Sequence, residues 1–343
     1  MILGMVLSGS AVLQRMAEGL YGISAAKMPS IERRLARFVA NDRIHVTPIW
    51  KEFLSQVLPF WRAQRVLLVL DCTPFDERAT IVYVGLLVHS RILPLAWRVM
   101  PAQHKWPQGQ WEIVSSLLDQ LSPHLQDTDC TLLADRGLVG WPLVQLCRER
   151  HWHYLLRVRR EHTCRRWMGR WTAWRPLGQM LTKPGQQWCG RIQLWQEQTL
   201  ETNLSAVWEP AYKEVWLLIS DRPAGRRRIK EYAVRMRVEA TFQDSKSRGW
   251  NLEASRIADR SRLDRLLLAL FLALWWVTHL AAACMHHGKR HWFDRRDRRD
   301  KGIFRLGRLW LLDILRRARD VGTLLRCLPF HQQGTTWRFA VRF

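Results

Sequence analysis

Tyr232, Arg235, Glu239 and Lys246 stand in the pattern Tyr-x2-Arg-x3-Glu-x6-Lys, and upstream two aspartates, Asp71 and Asp135, each close a run of apolar residues. The spacing of the first four is helical. At about 100° per residue their side chains point to roughly 0°, −60°, −20° and −40°, so all share one stripe. That stripe carries a carboxylate, two permanent cations and a phenol. Such a face suits holding a divalent metal while gripping phosphates.

Three carboxylates from two strand ends and one helix repel one another unless cations sit between them. The sequence offers no Cys/His cluster of softer ligands, so hard ions, Mg2+ or Mn2+, are the expected occupants. Two such ions roughly 3.5–4 Å apart activate the attacking oxygen and stabilise the leaving oxygen of an in-line phosphoryl transfer. Lys246 lies seven residues beyond Glu239, about 10 Å along a helix axis, which suits a phosphate farther along a bound strand rather than the same metal. Arg235, one turn before Glu239, has the fork for a phosphate near the reacting one. Tyr232 has a hydroxyl for a backbone oxygen and a ring for a base.

The elements that must position these groups follow from the apolar pattern. Arg65-Val66-Leu67-Leu68-Val69-Leu70-Asp71 is a continuous apolar run ending in an acid, as a buried central strand reads. Strands are predicted at about 80–88 and 92–99, separated by His89-Ser90-Arg91, giving an antiparallel meander. A helix at about 109–121 leads to a strand, 130–134, that stops at Asp135-Arg136-Gly137. A helix at 141–150 then feeds a strand at 154–158. Three antiparallel strands followed by helix, strand, helix, strand is the layout of a ribonuclease H-like α/β domain, in which neighbouring strand ends bring Asp71 and Asp135 together.

Residues 160–212 break the pattern. They are rich in Arg, Gly and Pro and hold Trp167, Trp171, Trp174, Trp188, Trp195 and Trp208, read as a β-rich insertion. A strand at 215–220 and a basic stretch from Arg222 to Lys230 precede the stripe-bearing helix, expected over about 226–248 with Gly249 as its stop. The predicted organisation is therefore a helical region over 1–64, a first core part over 65–159, the insertion over 160–212, a second core part over 213–285 with the stripe-bearing helix, and a basic C-terminal region over 286–343.

Charge narrows the partner. Among 343 residues, 54 Lys+Arg against 30 Asp+Glu give +24 and a pI near 10.9, which selects a polyanion, nucleic acid before membrane. Seven scattered cysteines without a Cys-x2-Cys pair fit a reducing compartment. Leu266 to Met285 has only Thr278 and His279 as polar residues, the length of a bilayer span. Its mid-segment Trp275 and Trp276 and its basic flanks favour a buried core helix. The apolar start, Met1 to Leu7, reads as a packed helix rather than a signal peptide.

These residues carry a family resemblance. Asp71-Cys72-Thr73 and Asp135-Arg136-Gly137 at strand ends, with the full Tyr232/Arg235/Glu239/Lys246 spacing, resemble the DDE transposases of the bacterial insertion sequence family four, whose signature is named YREK. The likeness covers the layout of about residues 65–285. It implies a ribonuclease H-like (retroviral integrase-like) catalytic core with a β-rich insertion, metal-dependent cleavage at transposon ends and strand transfer. By it, Asp71, Asp135 and Glu239 become metal ligands for two Mg2+ (or Mn2+) ions, and Tyr232, Arg235 and Lys246 become contacts to DNA. It further implies DNA-end binding by the helical region 1–64, a catalytic helix within 213–285, terminal inverted repeats and target DNA as partners, a homodimer in the synaptic complex, and a cytoplasmic, nucleoid-associated protein. Leu138 departs from the pattern, standing where the family usually has an aromatic residue.

Plainer readings stand beside these. Asp76 and Glu77 compete with Asp71, and Glu231 with Glu239. Each insertion tryptophan also suits simple packing, and His286, His287 and His291 resemble a metal cluster only by type. A metal-dependent nuclease on the same core, or a DNA-binding relic without catalysis, are the alternative functions.

Overall fold

The apolar run from Arg65 forms strand β1 (Arg65–Pro74), with Val66 to Leu70 buried on both faces as its unbroken hydrophobicity requires. Strands β2 (Ala79–Val88) and β3 (Arg91–Pro101) continue the antiparallel meander. Helix α5 (Gly109–Leu121) follows, then β4 (Asp129–Ala134), α6 (Trp141–Glu149) and β5 (His153–Arg157). Four helices precede the sheet: α1 (Ile2–Ser8), α2 (Leu13–Tyr21), α3 (Met28–Ala40) and α4 (Val46–Val57). This computed structural model describes residues 1–75, 77, 79–88, 91–102, 106, 109–211, 214–236 and 250–317.

The expected insertion strands are β6 (Thr163–Arg166), β7 (Arg175–Pro176), β8 (Gln187–Leu194) and β9 (Leu200–Val207), followed by β10 (Trp216–Ser220). They do not build a separate module. All ten strands share one sheet in the order β3-β2-β1-β4-β5-β10-β9-β8-β6-β7. The join is at β10, which pairs antiparallel with both β5 and β9, so the insertion extends the first sheet sideways. Strands β1, β4 and β5 run parallel, joined by crossovers through α5 and α6.

Alternation along β3 shows how both faces are covered. Trp97 donates from its indole to Asp264 at 2.6 Å and meets Phe271 edge-on at 4.7 Å, both on helix α8 (Arg260–His286). Arg98, on the opposite face, reaches Ser116 of α5. The membrane-length segment is thus a core helix, with 78% of its most apolar window buried within the protein. Trp275 donates to the Pro94 carbonyl at 2.9 Å, which explains a tryptophan in mid-helix. Helix α4 adds Trp50 and Phe53 to the same aromatic cluster, and Arg265 of α8 donates to the Val39 carbonyl and pairs with Asp42 beside α3. The buried residues of the N-terminal helices therefore belong to the same core as the sheet.

Helix α3 begins at Met28 with Pro29 in its first turn, where a missing N–H costs nothing. The last described helix, α9 (Ile303–Arg317), lies against α8, and its Arg308 donates to the carbonyls of Val6 and Leu7 in α1. Close approach of α9 depends on Gly307, where a methyl group would collide with the Val277 carbonyl. Gly307→Ala should therefore cost about 1–3 kcal/mol of stability through overpacking. A lowered thermal midpoint is the expected result, and an unchanged one would mean that the contact is not a tight constraint.

Candidate active site

Asp71 and Asp135 meet because β1 and β4 are parallel neighbours in register, Leu70 opposite Ala134. Each aspartate is the next residue along, so the two carboxylates stand side by side, Asp135 just past the end of β4 and Asp71 not at a strand end as expected but within β1, which β2 pairs as far as Pro74. The third element is helix α7 (Arg226–Ala233), followed by a 3-10 turn, Val234–Met236. The regular helix expected through 248 thus tightens at Val234, and residues 237–249 lie outside the described residues. Glu239 and Lys246 are among them.

Tyr232 and Arg235 both aim at the aspartates. The Tyr232 hydroxyl donates to Asp135 Oδ1 at 3.3 Å. One terminal nitrogen of Arg235 lies 3.1 Å from Asp71 Oδ2 and 3.8 Å from Asp135 Oδ2. Arg157, at the end of β5, approaches Asp135 Oδ1 at 3.8 Å. The tyrosine itself is buried, 1% exposed, with its ring edge-on to Trp216 at 5.5 Å. In this state Tyr232 and Arg235 contact carboxylates of their own chain.

The electrostatics follow from that geometry. Burial raises the Asp71 carboxyl above the usual range. Arg235 and the Cys72 N–H, which donates at 2.9 Å, pull it back, while Asp135 pushes it up again. Burial works to lower the Arg235 guanidinium, but Asp71, Tyr232 and Asp135 outweigh it and hold the group more firmly charged. Burial is also the main cause that raises the Tyr232 phenol, which remains a neutral donor. Two carboxylates that repel each other around a single cation form a hard oxygen donor set of the kind that a divalent ion takes. Among the described residues no group of three His, Cys, Asp or Glu gathers.

Glu231, the rival of Glu239, has a different task. It is fully buried and forms ion pairs with three arginines: Arg65 at 2.8 Å, Arg228 at 2.7 Å and Arg227 at 3.2 Å. Arg65 begins β1 at the opposite end of the sheet from Asp71, so this cluster fastens α7 while its later residues reach the aspartates. Glu77 is exposed, and Asp76 lies outside the described residues. His291 bonds the Gly288 carbonyl and His287 stacks on Trp310, so both are engaged locally.

Sequence reasoning missed a group of arginines beside Asp135. A cleft of about 530 Å3 is lined by Arg136, Arg157, Arg159 and Arg160, with Glu161 and Glu214 as its other charged groups besides Asp135. Glu214 receives Arg136 and Arg157 at 2.8 Å each. The signal was present as the run Arg157-x-Arg159-Arg160 directly after a strand, but only the register shows that it opens beside Asp135.

Two measurements test this site. Glu231→Gln leaves buried arginines without a charge partner and should cost about 3–5 kcal/mol in a denaturant melt. For Asp71, a raised carboxyl must lose its proton before it holds a cation. Affinity for Mn2+ should therefore rise as pH increases from about 4 to about 7, steepest above the ordinary aspartate range. Calorimetric titration at several pH values reads this, and flat affinity would remove Asp71 from the ion's shell.

Residues 108–276, just under half of the chain, match the family described as "Transposase DDE domain". The matched stretch contains Asp135, Tyr232, Arg235, Glu239 and Lys246 and begins after Asp71. The match supports a DDE transposase, an enzyme acting on DNA, in a family that generally uses divalent metal ions. No curated protein matches the chain.

Proposed function

We propose that this chain is a DNA transposase of the YREK group, insertion sequence family four, that cuts transposon ends and joins them to target DNA. The observation that carries the reading is the convergence of Asp71 and Asp135 on one guanidinium, presented by a helix whose sequence places Glu239 four residues later. The sheet order β3-β2-β1-β4-β5, antiparallel then parallel, supports a ribonuclease H-like core under that site.

Asp71, Asp135 and Glu239 would hold Mg2+ or Mn2+, two ions in the full site. When bound, the metal supplies Lewis-acid activation of the entering oxygen and stabilisation of the leaving one. The chain's own groups do the rest. Arg235 is released from the aspartates once their charge is otherwise balanced, and its fork then suits a phosphate. Tyr232 fixes the orientation of Asp135. Arg136 and Arg157 neutralise phosphate charge beside the scissile bond, and Lys246 grips the strand farther along. Water is the first nucleophile and a DNA 3′-hydroxyl the second. Two copies would pair the transposon ends, acting on DNA in the bacterial cytoplasm.

Full-length protein, Mg2+ and a plasmid bearing the DNA that flanks the coding region should give joined products. Cleavage without joining would make it a nuclease, and binding without cleavage in Mg2+ or Mn2+ would make it a relic. Glu239→Gln should lower cutting by at least about a thousandfold while DNA binding persists. Unchanged cutting would remove Glu239 from the site.

A further inference from the structure

The strand registers place a second set of basic groups on the rim that carries Asp135. Arg157 of β5 lies level with Asp135, because Leu156 pairs with Ala134. Across β10 and β9, Trp216 pairs with Val207, putting Trp208 at that end. Val207 pairs with Gln187, so β8 begins there. Strand β6 is antiparallel to β8, Cys164 opposite Leu194 and Arg166 opposite Ile192, and Trp167 donates to the Arg191 carbonyl. Residues 167–174, the loop between β6 and β7, therefore project from the same end as the aspartates.

That loop and its surroundings are built from alternating arginine and tryptophan. Arg165 lies between the rings of Trp171 (5.6 Å) and Trp174 (5.1 Å), and Arg191 lies over Trp167 at 5.7 Å. Nearer the aspartates, Arg160 lies over Trp208 at 5.9 Å and bridges the cleft to the loop. Residues 159–191 hold seven arginines and one lysine against Glu161 alone. Arg170 and Arg175 are exposed and pair with no acid among the described residues. Trp167 and Met168 are 42% and 65% exposed, a cost in water that packing within this chain does not offset.

We infer that the β6–β7 loop is a second DNA contact, gripping the duplex backbone on one side of the scissile phosphate. Its placement relative to the cut rests on reading the Asp135 end as catalytic. Five strand spacings separate β4 from β6, about 24 Å at ~4.8 Å each, or about seven base pairs of duplex at ~3.4 Å each. The rings stiffen the arginines by cation–π contact, so less side-chain freedom is lost when a phosphate binds. The contact is with backbone, so it adds affinity without choosing sequence.

The test is fluorescence anisotropy of the full chain on a labelled 30-base-pair duplex of mixed sequence, in EDTA so that nothing is cut, across a salt series. Arg170→Gln/Arg175→Gln should weaken binding about tenfold and lower the log–log salt slope by about 2, one unit per lost phosphate contact. Both side chains are exposed, so the thermal midpoint should not move. Arg226→Gln/Lys230→Gln, on the exposed surface of α7, removes equal charge elsewhere and should leave both quantities unchanged. Wild-type binding by the loop variant, or an equal loss in the α7 control, overturns the inference. Arg157→Gln reports separately on the aspartate end. If it alone is silent, the catalytic reading of that end falls while the loop contact stands.

Discussion

Two carboxylates held side by side by parallel strands must have a positive charge between them, and much of this structure serves that requirement. The register of β1 with β4 leaves Asp71 and Asp135 no freedom to separate. Helix α7 supplies the balancing guanidinium, and Arg157 adds a second cation from the neighbouring strand. Arg235 thus serves two acids at once, with Arg157 assisting only at Asp135. Binding a divalent ion then becomes a competition between charges rather than the filling of a void. Under the proposed function, an ion held by the aspartates would free Arg235 for substrate charge.

Such a site needs its helix fastened elsewhere, since a group that exchanges partners cannot also hold the backbone. The buried cluster of Glu231 with Arg65 and Arg228 meets that need at the other end of β1. Burying these charges is costly, and burial lowers the Arg228 guanidinium although Glu231 opposes the shift. What the cluster provides is direction. It fixes which face of α7 meets the sheet, and hence that Tyr232 and Arg235 point to the aspartates.

The elements of the sheet's first half were legible because their apolar runs are long and end in definite stops. Asp71 and Asp135 were found as acids closing apolar runs; Asp135 does follow the end of β4, but β1 continues past Asp71 to Pro74 because β2 still pairs with it. The helix read at about 109–121 is described over Gly109–Leu121. Legibility failed where tertiary partners decide. Nothing in the sequence of 160–212 says that β9 pairs with β10, which turns an insertion into a continuation of the sheet. The helical arithmetic put Tyr232 and Arg235 on one stripe, but it did not show that both meet the paired aspartates or that the chain passes into a 3-10 turn at Val234. The arginines after β5 were visible as residues and invisible as a cleft, because a cleft depends on Glu214, more than fifty positions later.

The same logic resolves the membrane-like helix. A mixed sheet with helices on both faces requires at least one element apolar around most of its circumference. Helix α8 is that element, covered by β3 on one side and by the N-terminal helices and α9 on others. The Trp275 indole N–H finds the Pro94 carbonyl within the protein, so this tryptophan serves the interior. Hydrophobic length alone records how completely a helix is enclosed, and the sheet supplies the enclosure. Basic residues are then left to the surface, and at the aspartate-bearing rim the strands concentrate them in line with the chemistry.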